Sequence, residues 1–443
     1  MQHCVFDPQL VQSIVDELKI TDLAKATIGQ ASLLASALEQ RTGIPFIRMD
    51  QGVPGLSPCK IGLDAEKAAL DTGIAAIYPA AEGVPELKEQ TSRFIKAFIN
   101  IDISPEGCIP TTGSVAGSFG SFIITSQCTP GKDTVLFIDP GFPIQKSQLK
   151  ILGVPFEQFD VFAYRGAALR NKLEEYLSKG NICAIVYSNP NNPAWTCLEE
   201  EELKIIGELA TKYDTIVLED LAYFAMDFRR DLGHPFAPPY QATVARYTDN
   251  YILMLSASKI FSYAGQRMAV ACVSDKLFNR KYPALAERYS GAGLFGITFV
   301  SSILYMITSG ATHSVQFGLA AMYKAACDGK INFVEETKEY GRRANRMKRL
   351  FRENGFYVVY DHDVTEPIGD GFFFTIGYPG MTSGELMREL LFYGISSITL
   401  NTTGSEQEGI RACSSRMTEE LFDIMEKRLK AFHADHPIAK KII

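Results

Sequence analysis

The sequence lacks the paired cysteines and clustered histidines that mark most structural metal sites. Its nine cysteines stand singly with no C-x-x-C pair, and its six histidines show no H-x-x-x-H spacing. Zinc sites and redox-active dithiols usually need such spacings, so we expect no metal. The cysteine count is odd and several lie in apolar runs, as Cys183 does. We therefore predict reduced thiols in a cytoplasmic protein.

Long apolar runs and blocks of positive charge are also scarce. The most apolar stretch, residues 295–311, is short for a bilayer span and contains Ser, Thr and Gly, so it predicts a buried helix. The N-terminus shows no basic segment followed by an apolar core, and we expect no signal peptide. The formal net charge of -7 argues against nucleic acid and anionic membrane as main partners.

What the chain does contain is enough length for two lobes, since 443 residues exceed one typical domain. Residues 199–213 repeat apolar side chains at helical spacing behind a group of acids. Helical stretches of this kind alternate with short apolar runs that predict buried strands, at 134–138, 182–187, 215–218, 251–255 and 268–273. This alternation predicts a mainly parallel sheet with helices on both faces.

After about residue 315 the pattern changes to long amphipathic helices with few strands. Residues 332–354 and 418–432 are helical in pattern, and strand-like runs lie between them at 356–360 and 371–376. This mixture predicts a smaller α+β lobe. Residues 1–50 have no place in the large sheet and are assigned to that lobe. The predicted division is therefore a large domain at 55–312 and a small domain built from 1–54 and 313–443.

Chemically distinctive residues follow four of the predicted strands. In chain order they are Phe142, Asn192, Asp220 with Tyr223, and Lys259. In open α/β sheets, ligands bind beyond the carboxyl ends of the strands, so these side chains should meet in one crevice. An aromatic ring, an amide, a carboxylate and a lysine flanked by hydroxyls suit a planar, phosphorylated, basic heteroaromatic ligand.

A turn of small residues, Thr111 to Ser114, opens a predicted helix that runs to about Gln127. Free N–H groups at a helix N-terminus favour phosphate. The turn fits neither G-x-x-x-x-G-K-[ST] nor G-x-G-x-x-G, so a nucleotide is a poor match. Close packing of the helix is the alternative reason for small residues here.

The segment Ser256-Ala-Ser258-Lys259-Ile-Phe, with Gly265-Gln-Arg267 after it, resembles the S-x-S-K-x-F…G-x-R segment of the class I/II aminotransferases. These are fold-type-I pyridoxal-phosphate enzymes, and the resemblance extends over about residues 48–430. It implies a large domain with a mainly parallel, seven-stranded sheet and a smaller α+β domain. It also implies pyridoxal 5'-phosphate on Lys259, with the serines and Arg267 binding its phosphate.

Other segments match the same family in order. Asp220 resembles the aspartate that pairs with the pyridine nitrogen and makes the ring a better electron sink. By the same resemblance Tyr223 and Asn192 contact the cofactor's phenolic oxygen, and Phe142 stacks on its ring. The phosphate loop of the family corresponds to Thr112, Gly113 and Ser114.

One departure from the family pattern lies beside Asn192. The loop Asn189-Pro-Asn-Asn-Pro193 resembles N-P-x-N-P-[TS]-G, but Ala194-Trp195 replaces the usual Thr-Gly. Tryptophan tolerates fewer backbone conformations than glycine, which puts the local backbone in doubt. Trp195 is the only tryptophan of the chain, and we expect an ordinary packing role for it.

Three further matches concern the substrate and a neighbouring subunit. Tyr78 resembles the tyrosine that reaches the phosphate of the neighbouring subunit, which implies a homodimer with shared active sites. Gly52 and Val53 resemble the turn that approaches the substrate carboxylate through backbone. Arg411, in Gly-Ile-Arg-Ala-Cys-Ser, resembles the arginine that binds the substrate α-carboxylate as a bidentate pair. A surface ion pair is the simpler role for Arg411.

The resemblance thus predicts an aminotransferase that moves amino groups between amino acids and 2-oxo acids with ping-pong kinetics. A β-eliminating C–S lyase or a cyclopropane-forming synthase on the same scaffold would use the same lysine, aspartate and arginine. A non-catalytic sensor of the same fold usually has a DNA-binding domain in front, and only about 48 residues precede the match here. The side-chain specificity stays open, because a second arginine for dicarboxylates cannot be assigned among Arg280, Arg288 and others.

Overall fold

The computed structural model of the protein describes residues 3–438, so the predicted domain ends at 1–2 and 439–443 lie outside the described residues. The strands are β1 (Ile47–Arg48), β2 (Cys108–Thr111), β3 (Thr134–Asp139), β4 (Phe156–Asp160), β5 (Ile182–Ser188), β6 (Ile216–Leu221), β7 (Tyr251–Ser256), β8 (Ala269–Val273), β9 (Tyr357–Val358), β10 (Phe373–Gly377), β11 (Ile395–Ser396), β12 (Ile398–Thr399) and β13 (Ile410–Cys413).

The helices of the first half are α1 (Pro8–Glu17), α2 (Ile28–Thr42), α3 (Lys60–Asp71), α4 (Pro85–Ile99), α5 (Gly113–Thr125), α6 (Pro143–Leu152), α7 (Ala168–Leu177), α8 (Glu200–Lys212) and α9 (Ala257–Ile260). Those of the second half are α10 (Asp275–Phe278), α11 (Pro283–Tyr289), α12 (Phe295–Ile297), α13 (Tyr305–Thr308), α14 (His313–Cys327), α15 (Phe333–Glu353), α16 (Ser383–Phe392) and α17 (Glu419–Asp435).

A seven-stranded sheet forms the centre of the molecule, in the order β2-β8-β7-β6-β5-β3-β4. Only β8 runs against its neighbours, and the pairs from β7 to β4 are all parallel. Every residue of β3, β5, β6, β7 and β8 is buried, as expected for a sheet covered by helices on both faces. The predicted α/β class and the mainly parallel sheet are confirmed.

The sheet follows from the local sequence with small shifts at the strand ends. The run predicted as a strand at 215–218 extends to Leu221, so Asp220 lies within β6 rather than after it. The helix predicted at 199–213 is α8, which begins with a capping box between Glu199 and Glu202 and buries Leu203, Ile206 and Leu209.

The apolar stretch predicted as one buried helix, 295–311, is less regular and less buried than expected. A π-helical segment, Thr298–Leu304, joins α12 to α13. Phe295, Phe299 and Ile303 are buried, but Ile297 and Met306 are 52% and 72% exposed. No helix within residues 3–438 is both long and apolar enough to cross a bilayer.

A second, antiparallel sheet of four strands follows in the order β12-β13-β10-β9, with Phe373 opposite Cys413 and Thr375 opposite Arg411. The long helices α15 and α17 were predicted at these positions. The few strands beside long helices fit the predicted α+β character of this part.

Both ends of the described chain meet beside this second sheet. β1 pairs in parallel with β11, and the Val5 and Phe6 amides donate to the Phe392 carbonyl, both at 2.9 Å. The Arg428 guanidinium donates to the carbonyls of Gly394 at 2.8 Å and Pro45 at 2.7 Å.

The boundary proposed after residue 312 cuts a packed region. α14 lies against α3, where Met322 fills the space beside Gly62 and Tyr263 lies beside Gly318. The division at 54/55 and 312/313 stays a prediction.

Candidate active site

The parallel register of β5, β6 and β7 brings three functional segments to one edge of the large sheet. Ser188 lies opposite Asp220, and Leu221 lies opposite Leu255. Beyond these ends lie the loop with Asn192 and the short helix α9 with Lys259. A cavity of about 450 Å³ opens there. Of the predicted residues it is lined by Gly52, Val53, Ser114, Phe142, Asn192, Asp220, Tyr223, Ser256, Ser258, Lys259, Arg267 and Arg411.

Lys259 presents its amine to this cavity from α9. The Nζ atom donates to the Gly52 carbonyl oxygen and lies 5.3 Å from the centre of the Phe372 ring. The Lys259 amine forms no ion pair with an acidic side chain of residues 3–438. Burial therefore lowers the pKa of Lys259 to about 8, with Arg411 and Arg267 nearby acting in the same direction. An amine of this pKa is a nucleophile and a base near neutral pH.

Asp220 is a buried carboxylate that has no cation partner within residues 3–438. Its Oδ1 accepts from the Ala222 amide at 3.1 Å, and its Oδ2 accepts from Gln145 Nε2 at 3.2 Å. Burial raises its pKa to about 6 despite these hydrogen bonds. A ligand that brings a positive N–H group to this carboxylate would relieve the cost of burying it.

Arg411 is the opposite case, a buried cation without a carboxylate partner in the described chain. Only 2% of its surface is exposed. It donates to Asn192 Oδ1 at 3.2 Å and to the Asp50 carbonyl at 2.6 Å, while its Nε atom has no hydrogen-bond partner among residues 3–438. Burial lowers its pKa. The simpler role considered for it, a surface ion pair, is wrong, because the side chain is buried and faces the cavity.

The opposite end of the cavity is suited to a dianion. α5 begins at Gly113, and Thr112 makes no side-chain cap, so the N–H groups of the first turn remain available. Gly113 has φ +74°, and a Cβ there would lie 2.5 Å from Arg267 Nη2. Only glycine therefore lets the loop approach this guanidinium. Ser114 and Arg267 line the cavity, whereas Thr112 and Gly113 are not among its lining residues.

Tyr223 lies among aromatic rings at the side of the cavity. Its ring centre is 5.4 Å from that of Phe372 and 5.3 Å from that of Phe373. Burial holds its pKa well above the usual value, so the hydroxyl stays protonated as a donor. Phe142, the N-cap of α6, lines the same cavity.

Tyr78, like Thr112 and Gly113, is a predicted site residue that does not line the cavity. Its side chain is 86% exposed and absent from the cavity wall. This placement is what a residue that acts in a neighbouring subunit requires, and its role stays a prediction.

Trp195 keeps a backbone conformation that glycine would adopt. Its φ is 64°, and its side chain is fully buried. The indole makes an edge contact with Tyr223 at 5.5 Å, and a Cβ on Gly371 would lie 2.0 Å from it. The indole Nε1 has no hydrogen-bond partner within the described chain. Trp195 thus takes the left-handed backbone conformation that the family's glycine would adopt, with some strain, and its ring packs behind Tyr223.

Several residues at the cavity were not predicted from the sequence. Gln145 holds Asp220 and lies three residues after Phe142, in the first turn of α6. Three others, Gln51, Ile144 and Ser188, adjoin segments that the sequence analysis singled out. Ile28, Gly29, Ser32 and Phe373 reach the cavity from other parts of the chain. Within residues 3–438 no group of three or more His, Cys, Asp or Glu is arranged to hold a metal ion.

Comparison with known proteins agrees with this chemistry. The sequence pattern of the family described as aminotransferase class I and II matches residues 44–429. An aspartate aminotransferase of Pyrococcus horikoshii is 30% identical over 402 residues, which are 88% of this chain and 91% of that enzyme.

Solved structures show the same fold. An alanine aminotransferase from Pyrococcus furiosus superposes with a TM-score of 0.73 at 19% identity, over 94% of this chain and 99% of that one. An aspartate aminotransferase from Thermus thermophilus with maleate gives 0.72 at 16% identity, over 92% and 96% of the two chains.

The fold and the cavity define a fold-type-I pyridoxal-phosphate enzyme. The chain belongs to the class I and II aminotransferases, and it is a pyridoxal-phosphate-dependent transferase of amino groups. The residues present fit this cofactor. Within residues 3–438 Asp220 has no cation partner, which suits a protonated ring nitrogen, and Arg267 with the first turn of α5 suits a phosphate.

The conformation of Trp195 gives a prediction about stability. We expect Trp195→Gly to melt about 2 °C higher than Trp195→Ala, because glycine adopts φ 64° without strain whereas alanine does not. Both variants should melt well below the wild type, since each leaves a cavity behind Tyr223. The measurement is differential scanning calorimetry of the three proteins. An alanine variant at least as stable as the glycine variant would contradict the left-handed backbone.

Proposed function

We propose that the chain transfers the amino group between an amino acid and a 2-oxo acid by a ping-pong mechanism, with Lys259, Asp220 and Tyr223 as its catalytic residues. One observation carries this proposal. Lys259, Asp220 and Arg411 line one cavity, and no ion pair within residues 3–438 neutralises any of them. Three separate charged side chains can bind three separate parts of a cofactor and its substrate.

Lys259 is assigned the covalent attachment and the proton transfers. With a pKa lowered to about 8, a substantial fraction of the amine is neutral at slightly alkaline pH. The neutral amine can accept the proton from the substrate's α-carbon and return it at a neighbouring position. Bound pyridoxal phosphate supplies an electron-withdrawing ring that stabilises negative charge at that carbon.

Asp220, Tyr223 and Asn192 are assigned to the ring. Asp220 holds a proton on the ring nitrogen, and the positive charge so retained pairs with its buried carboxylate. Tyr223 donates from a hydroxyl that burial keeps protonated. The Asn192 side-chain oxygen already accepts from Arg411 at 3.2 Å, so its amide NH₂ group is left to donate to the cofactor's phenolic oxygen.

Arg411 is assigned to the substrate α-carboxylate, with the backbone of Gly52 and Val53 beside it. The guanidinium is fixed by its bond to the Asp50 carbonyl and lies 4.5 Å over the Phe373 ring. A planar fork held in this way forms bidentate bonds to a carboxylate. The phosphate is assigned to Thr112, Gly113, Ser114, Ser256, Ser258 and Arg267, and the face of the ring to Phe142.

A β-eliminating lyase on this scaffold would use the same charged residues. The relatives found by sequence and by structure carry aminotransferase names, which supports transamination. The same names make a non-catalytic sensor the weaker alternative.

We also propose a homodimer with shared active sites, which the surface around Tyr78 supports. Ile77 and Tyr78 are exposed, and the Ile77 carbonyl lies 3.0 Å from His313 Nδ1, next to the turn after α13. Exposed Ile297, Tyr305 and Met306 lie on the helical segment that leads to this turn. Apolar side chains left in water on neighbouring segments favour a second copy as partner.

A cytoplasmic location is the remaining proposal. All nine cysteines are free, and six of them are buried. Unpaired thiols persist in a reducing compartment.

The assignment of Lys259 predicts a complete loss of function in one variant. Lys259→Ala should abolish transamination and the borohydride-stable adduct with pyridoxal phosphate, because no other lysine among residues 3–438 lines the cavity. The adduct is located by peptide mass spectrometry. Lys204→Ala, an exposed lysine of α8, is the matched control and should retain both. A full adduct in the Lys259 variant would overturn the assignment.

The shared site predicts complementation between two impaired proteins. Tyr78→Ala and Lys259→Ala homodimers should each be nearly inactive. After their subunits are exchanged, about a quarter of all sites combine an intact Lys259 with an intact Tyr78 from the partner. We expect activity to return to about that level, measured after mixing under mild denaturant and refolding. Recovery that stays at the level of the separate variants would contradict a site shared between subunits.

A further inference from the structure

We infer that a second cavity beside the active site binds an oxyanion at the far end of the substrate's side chain. This cavity, called here the lysine annex, is lined by Lys25, Lys146 and Lys150 together with residues of α2, α6 and the loop after β12. The inference rests on the proposed function, because it places the substrate's α-carboxylate at Arg411.

The annex adjoins the active-site cavity. Ile28, Gly29 and Ile144 line both spaces. The annex has a volume of about 480 Å³, comparable to the active-site cavity. The boundary between the two spaces is apolar where Ile28 and Ile144 line both, so it suits methylene groups rather than a charge. The inference places the substrate's side chain along these residues, with its end in the annex.

The side chains that line the annex are mainly positive. Its wall contains three lysines and, among residues 3–438, neither an aspartate nor a glutamate, in a chain whose net charge is -7. Lys146 is anchored by an ion pair with the buried Asp139. Lys25 pairs with Asp22 at 3.5 Å across an exposed contact, which holds it weakly.

Lys150 is the lysine that the described chain leaves free. It forms no ion pair and no side-chain hydrogen bond within residues 3–438, and it lies one turn beyond Lys146 on α6. Residues four apart on a helix share a face, so Lys150 extends the positive wall that Lys146 begins. An oxyanion in the annex would neutralise the positive charge of Lys150.

The active-site cavity itself has no cation to spare for such a group. Its positive residues are Lys259, Arg267 and Arg411, which the proposed function assigns to attachment, phosphate and α-carboxylate. Arg280 is held by Asp214 at 2.6 Å, and Arg288 lies on α11; neither lines the active-site cavity or the annex. Within one chain the annex is therefore the place for a second acidic group of the substrate.

The test is calorimetric titration of the holoenzyme with unreactive acids. Glutarate and adipate carry an oxyanion at both ends, valerate and hexanoate match their lengths with one, and 4-phosphonobutyrate replaces one carboxylate by a phosphonate. We expect the two-ended acids to bind about tenfold more tightly than the one-ended acids. Tighter binding of the phosphonate than of glutarate assigns the annex to a phosphate group, and the reverse order assigns it to a carboxylate.

The variant that decides the location is Lys150→Gln. It should remove most of the difference between two-ended and one-ended acids, while Lys150→Arg preserves it and Lys204→Gln on α8 leaves it unchanged. Equal binding of both kinds of acid to the wild type, or a difference that Lys150→Gln does not alter, would overturn the inference. Amino transfer from alanine, which has no distal oxyanion, and from aspartate and glutamate, which have one, is measured in the same proteins. Transfer by the wild type from any of these donors, together with equal binding of both kinds of acid, shows that the annex alone has failed, whereas no transfer from any donor shows that the proposed function has failed.

Discussion

An amine, a carboxylate and a guanidinium are buried around one cavity, and none is paired to an opposite charge in the described part of the chain. Transferring each such charged group from water to the protein interior without a partner costs several kcal/mol of folding free energy. The pKa shifts record this cost, since burial lowers the pKa of Lys259 and Arg411 and raises that of Asp220. The fold tolerates the cost because the central sheet and its helices bury a large apolar core on both faces. A ligand with a cationic ring and two anionic groups supplies the opposite charges that these three side chains lack.

The supporting residues keep these groups apart instead of letting them pair with one another. Gln145 on α6 donates a hydrogen bond to the Asp220 carboxylate and holds it beside β6. Arg411 is held through the Asp50 carbonyl. The Asp50 carboxylate is itself fixed by two bonds from Arg48, each 3.0 Å long. Rigid support of this kind is what maintains catalytic geometry to a fraction of an ångström.

The sequence predicted those parts of the fold and the site that depend on local pattern. The buried strands predicted at 134–138, 182–187 and 251–255 differ from the structure by only one residue each at the C-terminal end. They could be located this closely because clear turn residues bound their apolar runs. Lys259, Asp220 and Asn192 could be located because each follows or ends such a strand. The rule that ligands lie beyond the carboxyl ends of parallel strands then placed them together.

What the sequence did not reveal depends on contacts between distant segments. Phe373 belongs to a strand that was predicted, but only its pairing with β13 places it beside Arg411 and Tyr223. Ile28 and Gly29 reach the cavity from the N-terminal helix α2, whose position no periodicity specifies. The left-handed backbone of Trp195 was a question that the sequence could raise, and the space left by Gly371 explains how the bulky ring is accommodated.

The central claim is that the cavity holds an unpaired, reactive lysine ready for an aldehyde, and the pH dependence of its labelling tests this most directly. Cofactor-free protein would be treated with pyridoxal phosphate and borohydride across a pH series, and the modified peptide quantified by mass spectrometry. Only the neutral amine reacts, so a pKa lowered to about 8 predicts that labelling of Lys259 rises with pH, reaches half its maximum near pH 8 and then levels off. A half-point near the ordinary lysine value of about 10.5, or labelling spread over surface lysines, would contradict the claim.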